Sequence, residues 1–205
     1  ESAAGLTGFL EPWLREHNRF PFTGNAYPFG ASAIKEAVRR LTDEPFDGLV
    51  RTNEKLYELL TLGTALPQTI QGDQRSFTLR YIDWEHPENN VFHVTDEFVV
   101  ERRRSHQTRR PDVVCFVNGI PFAVIECKRP DLTSPSGGLP HEEAVSQMLR
   151  NQGSDEIPHL FTYAQVLMAV SVNHAAYATT GAPKKFWMAW QEEDAEAHEA
   201  RVQQV

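Results

Sequence analysis

Arg109-Arg110-Pro111-Asp112-Val113-Val114-Cys115-Phe116-Val117-Asn118-Gly119-Ile120-Pro121-Phe122-Ala123-Val124-Ile125-Glu126-Cys127-Lys128 carries the strongest pattern in the chain. Two apolar runs flank an Asn-Gly pair, a strong short-range signal for a β-hairpin. Asp112 opens the first strand, and Glu126 and Lys128 close the second. Charged groups are costly inside a sheet unless they hold one another or a metal.

Residues opposite each other on an antiparallel pair share a face, so the loop length decides which charges meet. A two-residue loop pairs position 117 with 120 and 112 with 125, which puts Asp112 and Glu126 on opposite faces. A three-residue loop, Asn118-Gly119-Ile120, pairs 117 with 121 and 112 with 126. The two carboxylates then stand roughly 5 Å apart at Cβ, with Lys128 further along the same face. The longer loop is therefore predicted, with Pro121 at the start of a strand, where proline is tolerated. Val114, Phe116, Phe122 and Val124 fall on the site face, and Val113, Val117, Ala123 and Ile125 on the other. Both sets are apolar, as in central strands covered on both sides. Cys115 faces Ala123 and Cys127 faces Pro111, about 13 Å apart along the ladder and too far for a disulfide.

Two carboxylates at this distance bind a proton or a cation. Hard oxygen ligands with room for water suit Mg²⁺ or Mn²⁺. A neighbouring lysine can orient or deprotonate an attacking water and stabilise charge on a phosphate. Together these groups suit metal-assisted phosphodiester hydrolysis. The competing reading is a structural Asp–Lys–Glu ion-pair cluster at a strand end.

The 205 residues suffice for one large domain with a sizeable core, and 40% hydrophobic with 23% charged residues is ordinary for a soluble globular protein. No apolar run approaches the roughly 18 residues that span a bilayer, so no membrane role is expected. The opening Glu1-Ser2-Ala3-Ala4-Gly5 has neither an initiator methionine nor a signal pattern, and a longer natural protein is expected. Two cysteines without zinc-type spacing point to a reducing, intracellular setting. The net charge of -8 argues against a general DNA-coating protein, though not against an enzyme whose positive charge is local. Residues 101–110 supply such a patch, with five arginines against one glutamate. Arg102, Arg103, Arg104, Arg109 and Arg110 are candidate phosphate contacts; a solvated loop is the plainer alternative.

Elsewhere, helices are predicted near 6–16, from Ala31 to Leu41 with Ser32 as cap, from Leu49 to Leu62 and over His141–Gln152. Irregular chain is expected between the first helix and Gly30. The stripe of the third helix is Leu49, Asn53, Leu56, Tyr57 and Leu60, with Gly63 as its stop. Glu54 and Glu58 lie on its flank. Strands are predicted at Thr78–Asp83, Val91–Val100, Gln165–Val172 and Ala176–Thr180, with a helix as the alternative for 165–172 on periodicity alone. The Pro-, Ser- and Gly-rich residues 131–140 read as a mobile loop, and Phe186 onward as a charged helix. Neither an internal repeat nor a GxxxxGK[ST] phosphate loop is present.

Pro111-Asp112 followed by Glu126-Cys127-Lys128 resembles the PD-(D/E)xK nuclease signature. A wider set of residues carries a more specific likeness. Ile82-Asp83, Pro87-Glu88-Asn89-Asn90, the run from Arg109 to Pro130, Ile157-Pro158-His159-Leu160-Phe161 and Lys185-Phe186-Trp187-Met188-Ala189-Trp190 resemble the N-terminal nuclease domain of type I restriction–modification R subunits. The resemblance covers about residues 50–190. It implies an α/β fold, a restriction-endonuclease-like mixed β-sheet core flanked by helices. Residues 1–45 would form an extra N-terminal helical segment, 46–190 the endonuclease domain, and 191–205 a helical linker toward a motor absent from this chain.

The same resemblance implies that Asp112 and Glu126 ligate Mg²⁺, with Mn²⁺ as a substitute, and that Lys128 positions the nucleophilic water. Double-stranded DNA would be the substrate, and methylation and specificity subunits the partners. ATP would serve only the full-length subunit, in a bacterial or archaeal cytoplasm. Related nucleases carry a further acid on the first core helix, here Glu54 or Glu58. Many also carry Gln-x-x-x-Tyr after the lysine strand; Gln147 is present, but Asn151 stands where the tyrosine would be. A non-catalytic, nuclease-like module that binds DNA or couples subunits is the alternative, and a free-standing nuclease of another repair or recombination type is a third reading.

Overall fold

The computed structural model describes residues 2–129, 140–172 and 174–190, with side chains from residue 8 onward. The chain begins with α1 (Ser2–His17), then β1 (Arg19–Phe22) and β2 (Asn25–Pro28). These two strands replace the irregular chain predicted there. Thr23 and Gly24 both take positive φ, the backbone of a tight two-residue hairpin turn. Next come α2 (Ala31–Thr42) and α3 (Leu49–Leu62). The residue before α2 is Gly30, with no side-chain cap, and Ser32 lies inside the helix. Tyr57 is 53% exposed, so the buried stripe of α3 is Thr52, Asn53, Leu56 and Leu60. Gly63 ends α3 at φ 75°, where a Cβ would meet the Leu79 carbonyl oxygen at 2.3 Å.

A hairpin of β3 (Thr64–Ile70) and β4 (Asp73–Leu79) follows, so the strand expected over 78–83 ends at Leu79. The strand predicted over 91–100 divides into β5 (Phe92–Asp96) and β6 (Val100–Glu101), and β6 pairs with β7 (Thr108–Arg109) around the arginine-rich turn. Then come β8 (Val113–Val117), β9 (Ile120–Cys127), α4 (Pro140–Asn151), α5 (Pro158–Phe161), β10 (Val166–Ser171), β11 (His174–Ala178) and β12 (Met188–Ala189). A 3₁₀ turn and β12 occupy residues 184–189, where the charged helix was expected to begin. Most of the loop predicted over 131–140, and the helix predicted over 191–205, lie outside the described residues.

The main sheet runs β12-β11-β10-β9-β8-β5, mixed, with the β9–β10 pair parallel. A parallel pair needs a crossover, and α4 lies within it. Burial alternates along the strands. Val114, Val124, Glu126, Leu167 and Ala169 are buried, and α4 packs on β9, β10 and β11. Val113, Cys115, Ala123, Ile125, Val166 and Met168 on the other face are only half-buried. Among the described residues the strands are thus fully covered on one face, not on both.

The hairpin joins two cores. Val117 and Ile120 at its tip pack with Leu10, Leu14, Ile34, Leu56, Leu60 and Tyr81. Val114 and Val124 lower down pack with Met148, Ile157, Phe161 and Leu167. The N-terminal helices therefore share a core with the tip.

The turn itself corrects the three-residue prediction. Val117 pairs with Ile120, and Asn118 and Gly119 form a two-residue turn at φ 52° and 84°. Phe116 then pairs with Pro121, but Cys115 pairs with Ala123, leaving Phe122 as an extra residue. Pro121 has no N–H to give the ladder, and a bulge beside it is a common accommodation. Phe122, expected on the site face, packs against the tip cluster and against Trp84. Below the bulge the register is the predicted one, with Val113 opposite Ile125.

Asn118 anchors the turn. Its Oδ1 accepts from Val91 N at 2.8 Å, and its Nδ2 donates to Tyr81 O and Asn90 Oδ1, each at 2.9 Å. Asn90 in turn receives Asp83 N at 2.9 Å and donates to Asp83 O at 2.8 Å. Asn118 and Asn90 are buried, so each lost partner leaves an unsatisfied group. Asn118→Ala should lower stability by about 2–4 kcal/mol, through those orphaned groups and an alanine held at positive φ. Urea denaturation measures this; a loss below about 1 kcal/mol would mean that the network is dispensable.

Candidate active site

Below the bulge, one further step of the ladder brings Asp112 opposite Glu126, at the end of β9 next to Lys128. Asp112 Oδ2 accepts from the backbone N–H of Cys127 at 2.7 Å, which ties the start of β8 to the end of β9. Glu126 is fully buried against α4. Gln147, one helical turn before Asn151, lies between the two charges. Its Nε2 donates to Glu126 Oε2 at 2.7 Å, and its Oε1 accepts from Lys128 Nζ at 2.5 Å. Lys128 is held at its backbone too, where its N–H donates to Val170 O at 2.8 Å. The acid pair and the lysine therefore sit on one end of the parallel β9–β10 pair, bridged by a single amide.

Burial lifts the Glu126 carboxyl from its ordinary 4.5 to about 8. The charge of Asp112 and a hydrogen bond shared with it push in the same direction, while Lys128 and the Gln147 amide pull it down. Burial and the two nearby carboxylates also raise the Cys127 thiol. Two acids this close, one of them buried, share a proton or a cation. Among the described residues no group of three or more His, Cys, Asp or Glu side chains is placed to hold a metal ion. Asp112 and Glu126 offer two hard carboxylates, which fits Mg²⁺, an ion that keeps several waters and takes one or two protein acids.

The flanking candidates separate. Glu54 and Glu58 are exposed on α3, away from its buried stripe, and neither is among the groups that shift Glu126. Asn53, the odd polar residue of that stripe, is buried and donates to Phe161 O, Thr162 O and Ala164 O at 2.9–3.2 Å, tying α3 to α5. Within the arginine run, Arg102 Nε and Arg109 Nε reach Glu156 Oε2 at 3.1 and 2.7 Å. Arg103 lies 4.4 Å over the Phe46 ring. Arg104 and Arg110 are exposed. Nothing in the sequence singles out Glu156, far downstream, as the partner of two of these arginines. Asn53 did carry a signal, as a polar residue in an apolar stripe.

Residues 9–186 match the family model described as type I restriction enzyme R protein N terminus. The chain belongs to this family. The match takes in α2 and most of α1, which the motif resemblance did not reach. Over 171 residues the chain is 30% identical to the type I restriction enzyme HindI endonuclease subunit of Haemophilus influenzae, covering 83% of this chain and 16% of that protein. Over 179 residues it is 30% identical to the putative type I restriction enzyme MjaIXP endonuclease subunit of Methanocaldococcus jannaschii, covering 87% and 15%. This family member thus spans about one sixth of the length of the curated relatives it matches. No helix among the described residues is long and apolar enough to cross a membrane.

The raised acid makes stability depend on pH. A carboxyl whose pKa is higher folded than unfolded binds its proton more tightly in the native state, so metal-free stability falls as pH rises from about 4.5 to about 8. Glu126→Gln removes this titration. In urea melts with a chelator, the variant should be the more stable protein at pH 8, and the difference should shrink toward pH 5. Equal stabilities across that range would show that Glu126 titrates normally.

Proposed function

We propose that this chain is the DNA-cleaving domain of a type I restriction enzyme R subunit, and that it hydrolyses phosphodiester bonds with Mg²⁺ held by Asp112 and Glu126. The observation that carries this reading is the convergence of Asp112, Glu126 and Lys128 at one strand end, with Gln147 bridging Glu126 to Lys128. An ion-pair cluster serving only stability would not need a fully buried acid whose proton is hard to remove. The bound metal would polarise the phosphate and lower the pKa of a water.

The chain's own residues have separate parts to play. Asp112, anchored by the Cys127 N–H, and Glu126, anchored by Gln147, present oxygens at fixed positions. Lys128 directs its ammonium to the same end of the sheet, where it orients the attacking water and offsets the charge that develops on the phosphate. Arg104 and Arg110 are the arginines of the patch free to meet DNA phosphates, while Arg102 and Arg109 hold the β6–β7 turn to Glu156. In the full-length subunit, an ATP-driven motor would deliver double-stranded DNA, and methylation and specificity subunits would supply recognition. The setting would be the cytoplasm of a bacterium or archaeon.

Asp112→Ala and Lys128→Ala should each reduce DNA cutting by the assembled enzyme to background and leave ATP hydrolysis near wild type. Removing Mg²⁺ with a chelator should do the same to cutting, and Mn²⁺ should restore it. Persistent cutting by either variant would remove the assignment.

The arginines divide differently. Replacing Arg104 and Arg110 together by Ala should weaken DNA binding and reduce its salt slope by up to about 2. Arg109→Ala should instead cost about 1–3 kcal/mol of stability by leaving Glu156 short of a partner. An unchanged salt slope in the double variant would rule out the phosphate role.

A further inference from the structure

Asn151 lies at the end of α4, one turn beyond Gln147, and is only 2% exposed. Its Nδ2 points to Glu126 Oε1 at 3.5 Å, while Gln147 Nε2 holds the other oxygen, Oε2. At its opposite end Oδ1 is buried and has no hydrogen-bond partner among the described residues. A buried amide that serves only the fold satisfies both ends, or is replaced by an apolar side chain of the same size. Here the donor end goes to the carboxylate and the acceptor end is left unpaired. That arrangement is a poor bargain for stability. It suits a residue kept to orient Glu126.

We propose that Asn151 is a positioning residue for the metal site: with Gln147 it brackets the Glu126 carboxylate, one amide to each oxygen, and fixes the plane in which that carboxylate meets the metal. Two N–H donors from one helix face restrict the carboxylate's rotation about its last bond. Asp112 stands on the remaining side of the carboxylate, close enough to share a hydrogen bond with it. Outer partners of this kind set metal affinity without touching the metal, typically by about 10–100-fold. The inference rests on the proposed metal site at Asp112 and Glu126, and makes a separate claim about how that site is held.

The test compares Asn151→Leu, which keeps the heavy-atom count and branching and removes the amide, with Asn151→Ala as a smaller second variant. Mn²⁺ affinity of the 205-residue chain is measured by calorimetry in the presence of a DNA duplex, with thermal melts alongside, and the Mg²⁺ dependence of cutting is measured in the assembled enzyme. The expected result for Asn151→Leu is a melting temperature at or above wild type with Mn²⁺ binding weakened about tenfold or more. Half-maximal cutting should then need correspondingly more Mg²⁺, with the rate at saturating Mg²⁺ much less affected. Asn151→Ala should lose affinity to the same degree whatever its melting temperature. If both variants bind Mn²⁺ as wild type does, Asn151 is a structural residue and the proposal is overturned. If wild type binds no more Mn²⁺ than Asp112→Ala does, the metal site itself is lost and this inference falls with it.

Discussion

Asp112 and Glu126 share a face because the ladder between β8 and β9 absorbs one extra residue beside Pro121. A two-residue turn without that bulge would carry its register down the strands and set Asp112 opposite Ile125, with Glu126 turned to the other side. Proline, which cannot donate to the ladder, and Asn-Gly, which makes the turn tight, thus act together to place two carboxylates. The rest of the structure holds this register in place. Tip residues Val117 and Ile120 are locked into the N-terminal core, and Val114 and Val124 into the core under α4 and α5. A slip of one residue would strip apolar contacts from both.

The second constraint is electrostatic. Glu126 is buried where an isolated carboxylate would be expensive, and the structure answers with amides. Gln147 is the central piece, since it donates to the acid and accepts from the lysine. It keeps Lys128 beside Glu126 without a direct ion pair of the two, which would tie up the lone pairs a cation needs. The overall charge of -8 does not describe this end of the sheet, where two acids and one lysine are set by the fold.

Much of this was legible in the sequence because β-structure has a strict period and because Asn-Gly names its own turn. The acids at the ends of the hairpin and the lysine two residues on could be placed from residue types, while Gln147 was pointed to only by the family resemblance. The route to the register was not legible. Counting faces demanded an extra residue between the strands, and the simplest place for it was the loop; the fold puts it at Phe122 instead. The N-terminal hairpins were missed because Arg19-Phe20-Pro21-Phe22 and Thr64–Ile70 contain proline and half-exposed polar residues, which dilute strand periodicity. Tyr57 shows the limit of spacing as evidence, being one position off the stripe and left in solvent. The arginine patch shows another limit. Its local charge was plain, but Glu156, which neutralises part of it, comes from a distant segment with no pattern of its own.

The turn that sets the register also carries a covalent liability. In an Asn-Gly pair the backbone nitrogen of the glycine can attack the asparagine side-chain carbonyl, expel ammonia and close a succinimide, which takes up water and opens to aspartate or isoaspartate. Asn118 is fully buried, and its amide is held at both ends by Val91, Tyr81 and Asn90. Ring closure needs that amide free and turned, so it must wait for the tip to open. Burial and these hydrogen bonds should therefore slow the ageing of residue 118 in the folded protein, and isoaspartate accumulating there would report how often the tip opens.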